Sequence, residues 1–355
     1  MIPDVLAVYV HSIDPHALPL WGSLSIRWYG LSYLVGFVLA YLLIRRVVRA
    51  GVSTLHPTRV ADLVVYVAIG VLIGGRLGYV FFYKPSLLVS VSSQLPFWDL
   101  LAINQGGMAS HGGMIGAIIA CIVFARRHDQ RPGHILDLVA FPTPLGLGIG
   151  RVANFINGEL YGRECRESLP WAVKFPQEIH TWPTGVHDLS LRQAIDILDP
   201  NSPYQDDPLS RWGPRLVEAI QNGNEQIVEI LSPHLTARHP SQLYQAILEG
   251  GIVFLVLVIL WVQPRKPCIV GGMFLLGYGL MRIVGEIFRM PDEHIREMEA
   301  SILHITRGQL LSAPLVLIGA WMIWRFSRAP VAPMGGWISS AQVGDDSSMR
   351  GSSQA

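Results

Sequence analysis

Charged residues are scarce in this sequence. Only 15% of its 355 residues are Asp, Glu, Lys or Arg, whereas 50% are apolar. A soluble chain usually carries about 25% charged residues, so much of this surface faces something other than water. Intrinsic disorder of the main body is excluded, because such a chain has ample apolar surface to bury.

An excess of either charge sign is also lacking, since 27 Lys and Arg stand against 26 Asp and Glu. The sequence therefore has no basic field for a nucleic acid, and we expect no such partner. Cys121, Cys165 and Cys268 are too few and too scattered for a disulfide scaffold or a zinc site. We expect no metal and no cofactor. Residues 1–20 contain two aspartates and three prolines, and we expect no cleaved signal peptide there.

Long apolar runs are abundant. A membrane-spanning helix needs roughly 20 mostly apolar residues. Seven segments are candidates: 28–44, 60–83, 112–125, 134–153, 242–262, 268–288 and 310–326. The third is short, and we expect a re-entrant stretch near 106–111 to precede it. The predicted fold class is an all-α integral membrane protein with seven transmembrane helices.

Arginine and lysine in the short loops predict the orientation. They cluster at 45–49, 126–131, 265–266 and 325–328, which are alternate connections and fall on one side of the membrane. This pattern predicts an outer N-terminus and an inner C-terminus. The predicted parts are helices 1–4 with an outer N-terminal segment (1–162), an extracytoplasmic cap (163–240), helices 5–7 (241–328) and a disordered cytoplasmic tail (329–355).

The long outer loop has a composition unlike that of the spans. Between 163 and 240 it holds several acidic and basic residues and two amphipathic stretches, 189–198 and 216–231. Prolines separate these stretches. We expect a small folded cap with two short helices.

Ionisable residues inside a membrane protein are expensive and mark function. Polar residues lie in or beside four of the predicted spans: Arg76, His111, Arg151, Asn154, Glu159, Arg282, Glu286 and Arg289. All fall in the outer half by the predicted topology. Glycines surround them and leave room for a bulky ligand.

Structural alternatives exist for several of these residues. Arg282 and Glu286 are four residues apart and are compatible with a helical ion pair. Arg76 is compatible with a side chain that reaches the headgroups, and His111 with a satisfied core histidine. Tyr29 is compatible with an interfacial anchor.

The arginines together favour an anion-binding cavity. Four arginines against Glu286 leave a positive pocket in a medium of low dielectric constant. A guanidinium makes two parallel hydrogen bonds to a phosphate, which lysine does not. We therefore infer an arginine-lined site for an anionic phospholipid. The residues alone leave the reaction open, and a lipid transporter or a lipid-binding scaffold remains an alternative.

Several motifs resemble one bacterial family. The run GRVANFINGELYG at 150–162 closely resembles the signature of prolipoprotein diacylglyceryl transferases. RWYGL at 27–31, HGG at 111–113, RHPSQLY at 238–244 and the stretch 278–289 are similar to further motifs of that family. Gln245 stands where the motif is expected to carry a glutamate.

The resemblance implies a specific reaction. Such enzymes move the diacylglyceryl group of phosphatidylglycerol onto the lipobox cysteine of a preprolipoprotein signal peptide, forming a thioether and releasing glycerol phosphate. It also implies the bacterial inner membrane as the location, with the active site toward the periplasm. The expected partners are phosphatidylglycerol, the preprolipoprotein and the bilayer.

Residue roles follow by resemblance. The predicted catalytic residues are His111 as general base, Arg151 and Arg282 on the phosphate, and Glu286 orienting Arg282. The predicted phosphatidylglycerol-binding residues are Arg151, Asn154, Glu159, Gly162, Tyr29, Tyr278, Arg289 and Arg76.

Overall fold

The computed structural model describes residues 8–21, 24–92, 96–102, 106–183, 188–201, 208–290 and 306–338. Most of these residues are helical. The α-helices are α1 (Trp28–Ala50), α2 (Val60–Phe82), α3 (Ser110–Arg127), α4 (Pro132–Ala140), α5 (Thr143–Ile156), α6 (Asp188–Leu198), α7 (Pro208–Gln221), α8 (Glu225–Leu231), α9 (Ser241–Gln245), α10 (Val253–Leu260), α11 (Ile269–Gly285) and α12 (Arg307–Ser327).

Shorter elements complete the secondary structure. A π-helical segment, Ala246–Ile252, joins α9 to α10. Single 3-10 turns occur at Pro57–Arg59, Pro85–Leu88, Asp99–Leu101, Pro176–Thr181 and Ser232–His234. The strands are β1 (Tyr9–Val10), β2 (His16–Trp21), β3 (Leu24–Arg27), β4 (Val173–Lys174) and β5 (Ala237–Arg238).

Five helical stretches among the described residues are long and apolar enough to cross a membrane. They are Trp28–Ala50, Pro57–Phe82, Pro132–Ile156, Ser241–Leu260 and Gly308–Ser327. A shorter apolar helix, Ile269–Gly285, corresponds to the sixth predicted span, and α3 to the third. The chain is thus a helical, multi-pass membrane protein; the count of seven spans and the orientation remain predictions.

The fourth predicted span is divided. Helix α4 ends at Ala140 and α5 begins at Thr143. Pro142 lies between them, and a proline has no N–H to continue a helical hydrogen-bond ladder. The Thr143 hydroxyl donates to Val139 O at 2.7 Å across this break.

Internal contacts divide the chain into two units. The first comprises Met1–Val35, Leu147–Ile252 and Gly279–Pro314, and the second comprises Gly36–Gly146, Val253–Tyr278 and Leu315–Ala355. This division differs from the four predicted parts because those follow chain order, whereas the units follow packing.

The first unit contains the cap and two small sheets, which were not predicted. In one sheet β4 lies between β1, which is parallel to it, and β5, which is antiparallel; Tyr9 pairs with Val173, and Val173 with Arg238. The other is a hairpin of β2 and β3 with Trp21 opposite Leu24.

The cap is a small folded body with its own core. Helices α6, α7 and α8 pack around the buried residues Ile179, Leu191, Ile195, Trp212, Leu216, Ile220 and Ile227. The prediction of two cap helices was wrong. The second predicted stretch begins earlier, at Pro208, and is broken at Gly223, whose φ is +79°. Asn224 then caps α8 by accepting from Ile227 N at 3.2 Å.

The second unit has an apolar core built on α2, α3, α4 and α10, with Leu63, Phe124, Leu138 and Trp261 fully buried. Helices α2 and α3 approach with backbone in contact, since a Cβ added to Gly78 would lie 2.8 Å from Gly112 Cα. Glycines at i and i+4 permit such close packing of membrane helices.

Residues 334–338 are packed, although the sequence favoured disorder for the whole tail. Met334 is buried, and its carbonyl accepts from Trp261 Nε1 at 3.2 Å. Gly335 pairs with Val52. The predicted disordered tail therefore begins too early; its remainder, 339–355, lies outside the described residues.

Candidate functional site

A buried glutamate is the centre of the candidate site in the first unit. Glu249 lies on the π-helical segment and is 0% exposed. Its Oε2 accepts from Arg151 Nη2 at 3.1 Å and from Arg151 Nε at 3.3 Å. Its Oε1 accepts from Arg282 Nη1 at 3.1 Å. One carboxylate thus bridges two guanidinium groups from separate helices.

A second glutamate extends the chain of ion pairs. Glu286 Oε2 lies 3.4 Å from Arg282 Nη2, and Glu286 Oε1 lies 3.1 Å from Arg289 Nη1. Gly308 lies directly against the Glu286 carboxylate, with no room for a Cβ. We call Arg151, Glu249, Arg282, Glu286 and Arg289 the arginine cluster.

Among the described residues, three guanidinium groups of the arginine cluster face two carboxylates. Its arginine side chains are only 13–17% exposed. Solvent therefore screens these charges weakly. A guanidinium-rich site of this kind is chemically suited to binding an anion.

Close backbone packing sets the position of Arg151 opposite Glu249. A Cβ on Gly148 would lie 3.1 Å from Gly250 Cα, so α5 and the π-helical segment approach without side chains between them. Further along these two segments, Gln242 Nε2 donates to Glu159 O at 2.7 Å, and Ser241 Oγ donates to Leu160 O at 3.1 Å. These contacts align the two segments in opposite directions.

The signature segment lies next to the arginine cluster. Asn154 is one helical turn beyond Arg151 and is buried. The N–H of Glu159 donates to Asn154 O at 3.1 Å, which ends the helix. Tyr29, near the start of α1, lies in the neighbourhood of Arg151 and Glu159. Asn154, Glu159 and Tyr29 therefore lie on or near the segment that carries Arg151.

Gly162 has a structural reason to be glycine. Its N–H donates to His239 O at 2.9 Å, and its backbone pairs with Arg289. A Cβ there would lie 2.7 Å from Phe288 O. Gly162 therefore joins the signature segment to the end of the segment that carries Arg289.

Two buried amides near the arginine cluster have polar atoms without a hydrogen-bond partner in the described parts of the chain. They are Oδ1 of Asn154 and both side-chain polar atoms of Gln245. A Cβ on Gly285 would lie 3.2 Å from Gln245 Cγ, which places Gln245 beside the helix of Arg282. Unsatisfied buried amides are costly, and they suit a polar ligand.

Three predicted site residues lie in the second unit. His111 is the second residue of α3 and is exposed. Tyr278 stacks on Phe274, with ring centroids 5.7 Å apart. Arg76 is buried on α2, and its guanidinium donates to backbone carbonyls rather than to a carboxylate.

Glu249 was missed from the sequence, although a signal was present. It is an acidic residue within the fifth predicted span, 242–262, and an ionisable residue in a span marks function. Its omission made the predicted pocket more positive than the arginine cluster is. Within the described ranges of the chain, no group of three or more His, Cys, Asp or Glu side chains is suited to hold a metal ion.

Comparison with known proteins agrees with the motifs. The family model described as prolipoprotein diacylglyceryl transferase matches residues 15–325. A phosphatidylglycerol–prolipoprotein diacylglyceryl transferase of Bdellovibrio bacteriovorus is 42% identical over 344 residues, covering 92% of this chain and 97% of the relative.

Two further relatives carry the same name. That of Yersinia pestis is 39% identical, covering 86% of this chain and 92% of its own. That of Rhodospirillum centenum is 36% identical, covering 91% and 94%. The match spans the segments that form the arginine cluster, and the chain belongs to the prolipoprotein diacylglyceryl transferase family.

Proposed function

We propose that this protein transfers the diacylglyceryl group of phosphatidylglycerol to the lipobox cysteine thiol of a preprolipoprotein signal peptide, the first step of lipoprotein maturation. The observation that carries the proposal is the arginine cluster, in which Glu249 holds Arg151 and Arg282 together. Its guanidinium groups have the geometry to hydrogen-bond the negatively charged oxygens of a phosphodiester.

The reaction is a displacement at carbon. The thiol sulfur forms a bond to the terminal glycerol carbon of the diacylglyceryl group while that carbon's bond to the phosphate ester oxygen breaks. The thiol proton goes to a base, and glycerol phosphate leaves. The phosphate changes from a monoanionic diester to a monoester with a further negative charge. Fixed cations in a water-poor site stabilise charge that develops in the transition state.

The arginine cluster is suited to this change. Arg151 uses Nε and Nη2 for Glu249, and its Nη1 has no hydrogen-bond partner among the described residues. That donor is our candidate for the departing phosphate oxygen. Arg282 is the second phosphate ligand, and Glu286 orients it from 3.4 Å away. Arg289, which pairs with Oε1 of Glu286 at 3.1 Å, is a further candidate phosphate contact.

The headgroup glycerol and the thiol need further groups. The unpartnered Oδ1 of Asn154 is a candidate acceptor for a glycerol hydroxyl, with Glu159, Tyr29 and Tyr278 as additional polar contacts. His111 is the candidate general base, since histidine is the side chain most often used near neutral pH.

The proposed setting is the bacterial inner membrane. Seven spans, an outer N-terminus and an inner C-terminus would direct the arginine cluster and the cap toward the periplasm. The basic loops support this orientation. Impermeant maleimide would then label Glu218→Cys in intact cells but Arg127→Cys only after permeabilisation, both in a Cys165→Ser background.

A transfer assay tests the activity. Purified protein is incubated with phosphatidylglycerol labelled in its acyl chains and a lipobox peptide that carries Cys or Ser. Label on the Cys peptide alone supports the proposal, whereas lipid movement without peptide labelling supports a transporter instead.

Arg151→Ala, inserted and folded, should lose transfer. Arg49→Ala, which removes an exposed arginine at the end of α1, should retain it. Near-normal transfer by Arg151→Ala would refute the phosphate role.

A further inference from the structure

The guanidinium of Arg76 is held by backbone carbonyls of the segment that leads into α3. Nε donates to Leu100 O at 2.7 Å and Nη2 to Asp99 O at 2.6 Å. Nη1 donates to Gly106 O at 2.6 Å and to Gly107 O at 3.1 Å. The residue is only 6% exposed. One side chain thus binds both described parts of the segment, 96–102 and 106–109.

The backbone is shaped for this contact. Gly106 and Gly107 have φ values of +84° and +78°, a region that favours glycine. A Cβ on Gly107 would lie 2.8 Å from Arg76 Nη1 and 2.6 Å from the Tyr79 ring. The glycines thus let their carbonyls face the guanidinium at close range.

The segment is then tied to α2 on both sides of His111. Ala109 N donates to Gly75 O at 2.9 Å, at the residue next to Arg76. Gly112 packs against the backbone of Gly74 and Gly78 on the same helix. The backbone of His111 lies between these two attachments, so side-chain rotation is its main remaining freedom.

We propose that Arg76 is a positioning residue that fixes the backbone before α3 and thereby the location of His111. The inference rests on the proposed function, in which His111 is the general base. A base acts only within hydrogen-bond reach of its proton, and a misplacement of about 1 Å costs about 100-fold in rate. A buried guanidinium with carbonyls on all three of its nitrogens is poorly placed to bind a lipid phosphate as well.

Kinetics with phosphatidylglycerol varied at saturating peptide distinguish the two roles. Positioning predicts that Arg76→Gln lowers kcat at least 10-fold, with the KM for the lipid within twofold of wild type. Arg76→Lys, which keeps the charge and some of the hydrogen bonds, should recover part of kcat. Arg59→Gln, an exposed arginine paired with Asp62 at the start of α2, is the matched control and should leave both constants unchanged.

The opposite pattern overturns the proposal. A 10-fold rise in the KM for the lipid with kcat retained would make Arg76 a phosphate ligand, and unchanged constants would remove any role. Gly107→Ala perturbs the same contact from the other side and should reproduce the fall in kcat even if Arg76 variants insert poorly. Normal kcat in Gly107→Ala also counts against the proposal.

Hydrogen exchange separates this inference from the proposed function. In Arg76→Gln, amides at 97–102 and 106–112 should exchange at least 10-fold faster than in wild type, while those of α12 should not change. Unchanged exchange overturns the positioning role. A wild-type protein that makes no thioether refutes the proposed function, and the exchange measurement still reports on the contact.

Discussion

Replacing Glu249 by Gln removes the charge at the centre of the arginine cluster and keeps the size of the side chain. The carboxylate lies 3.1 Å from both Arg151 Nη2 and Arg282 Nη1 and is fully buried. A glutamine offers one acceptor, and its amide N–H₂ must face the other guanidinium as a second donor. The variant therefore loses one bridge and places donor against donor.

The magnitude follows from burial. Removing one partner of a buried ion pair costs about 3–5 kcal/mol. The two arginine side chains are only 17% and 14% exposed, so hydration compensates little for the lost ion pair. We expect Glu249→Gln to lower the free energy of unfolding by about 3 kcal/mol. Loss of one charge-assisted contact that orients the guanidinium groups, worth about 2–3 kcal/mol, corresponds to about a 30- to 150-fold fall in kcat/KM.

The assay combines thioether formation, followed by mass spectrometry of the peptide, with thermal unfolding in detergent. Glu218→Gln, an exposed glutamate of the cap, is the control for the substitution itself. The double variant Glu249→Gln/Arg282→Gln should regain part of the stability, because fewer buried cations lack a partner, without regaining activity. Wild-type stability and wild-type kcat/KM in Glu249→Gln would refute the reasoning.

Three further predictions concern Arg282, Gly162 and His11. Arg282→Lys keeps a cation but cannot reach both Glu249 and Glu286 with a planar fork, and should lower kcat/KM by about 10- to 100-fold; equal activity would contradict bidentate orientation. Gly162→Ala forces a Cβ against backbone oxygens and should destabilise by about 1–3 kcal/mol in thermal denaturation, whereas Gly30→Ala, with nothing within 4 Å of its Cβ, should not. Burial lowers the pKa of His11 to about 4 from its usual 6.5. As the pH falls from 6.5 towards 4, His11 is therefore protonated in the unfolded chain but not in the folded protein, and the free energy of unfolding decreases by up to roughly 3 kcal/mol. His11→Leu should remove this loss, and an equal slope of melting temperature between pH 7 and 5 in both proteins would contradict it.

Cap and tail show where local pattern fails. The amphipathic stretch 216–231 predicts one helix, but Gly223 adopts a positive φ and Asn224 caps a new one. A local pattern does not reveal whether a glycine within it will continue the helix or adopt a positive φ that ends it. Likewise, the Gly- and Ser-rich composition of the tail favours disorder, yet Met334 is buried and its carbonyl accepts a hydrogen bond from Trp261. Composition reports average polarity and not the partner that a single residue finds.

Within the candidate site, the sequence identified the arginines but not the carboxylate, Glu249, that pairs with two of them. Arg151 and Arg282 stand out because a guanidinium in an apolar run is costly. Glu249, 98 positions from Arg151, becomes their common partner only when α5 packs against the π-helical segment. Arg76 shows the converse, since a residue predicted to bind phosphatidylglycerol donates to four backbone carbonyls of its own unit.

The sequence by itself determined the membrane character, the family and four of the five residues of the arginine cluster, all but Glu249. Apolar runs of sufficient length and polar residues inside them are properties of the chain that no packing can alter. Tertiary structure alone decided which of these charged side chains form ion pairs with each other. Ion pairing depends on distances of about 3 Å between side chains far apart in sequence, and such distances exist only once the helices have packed.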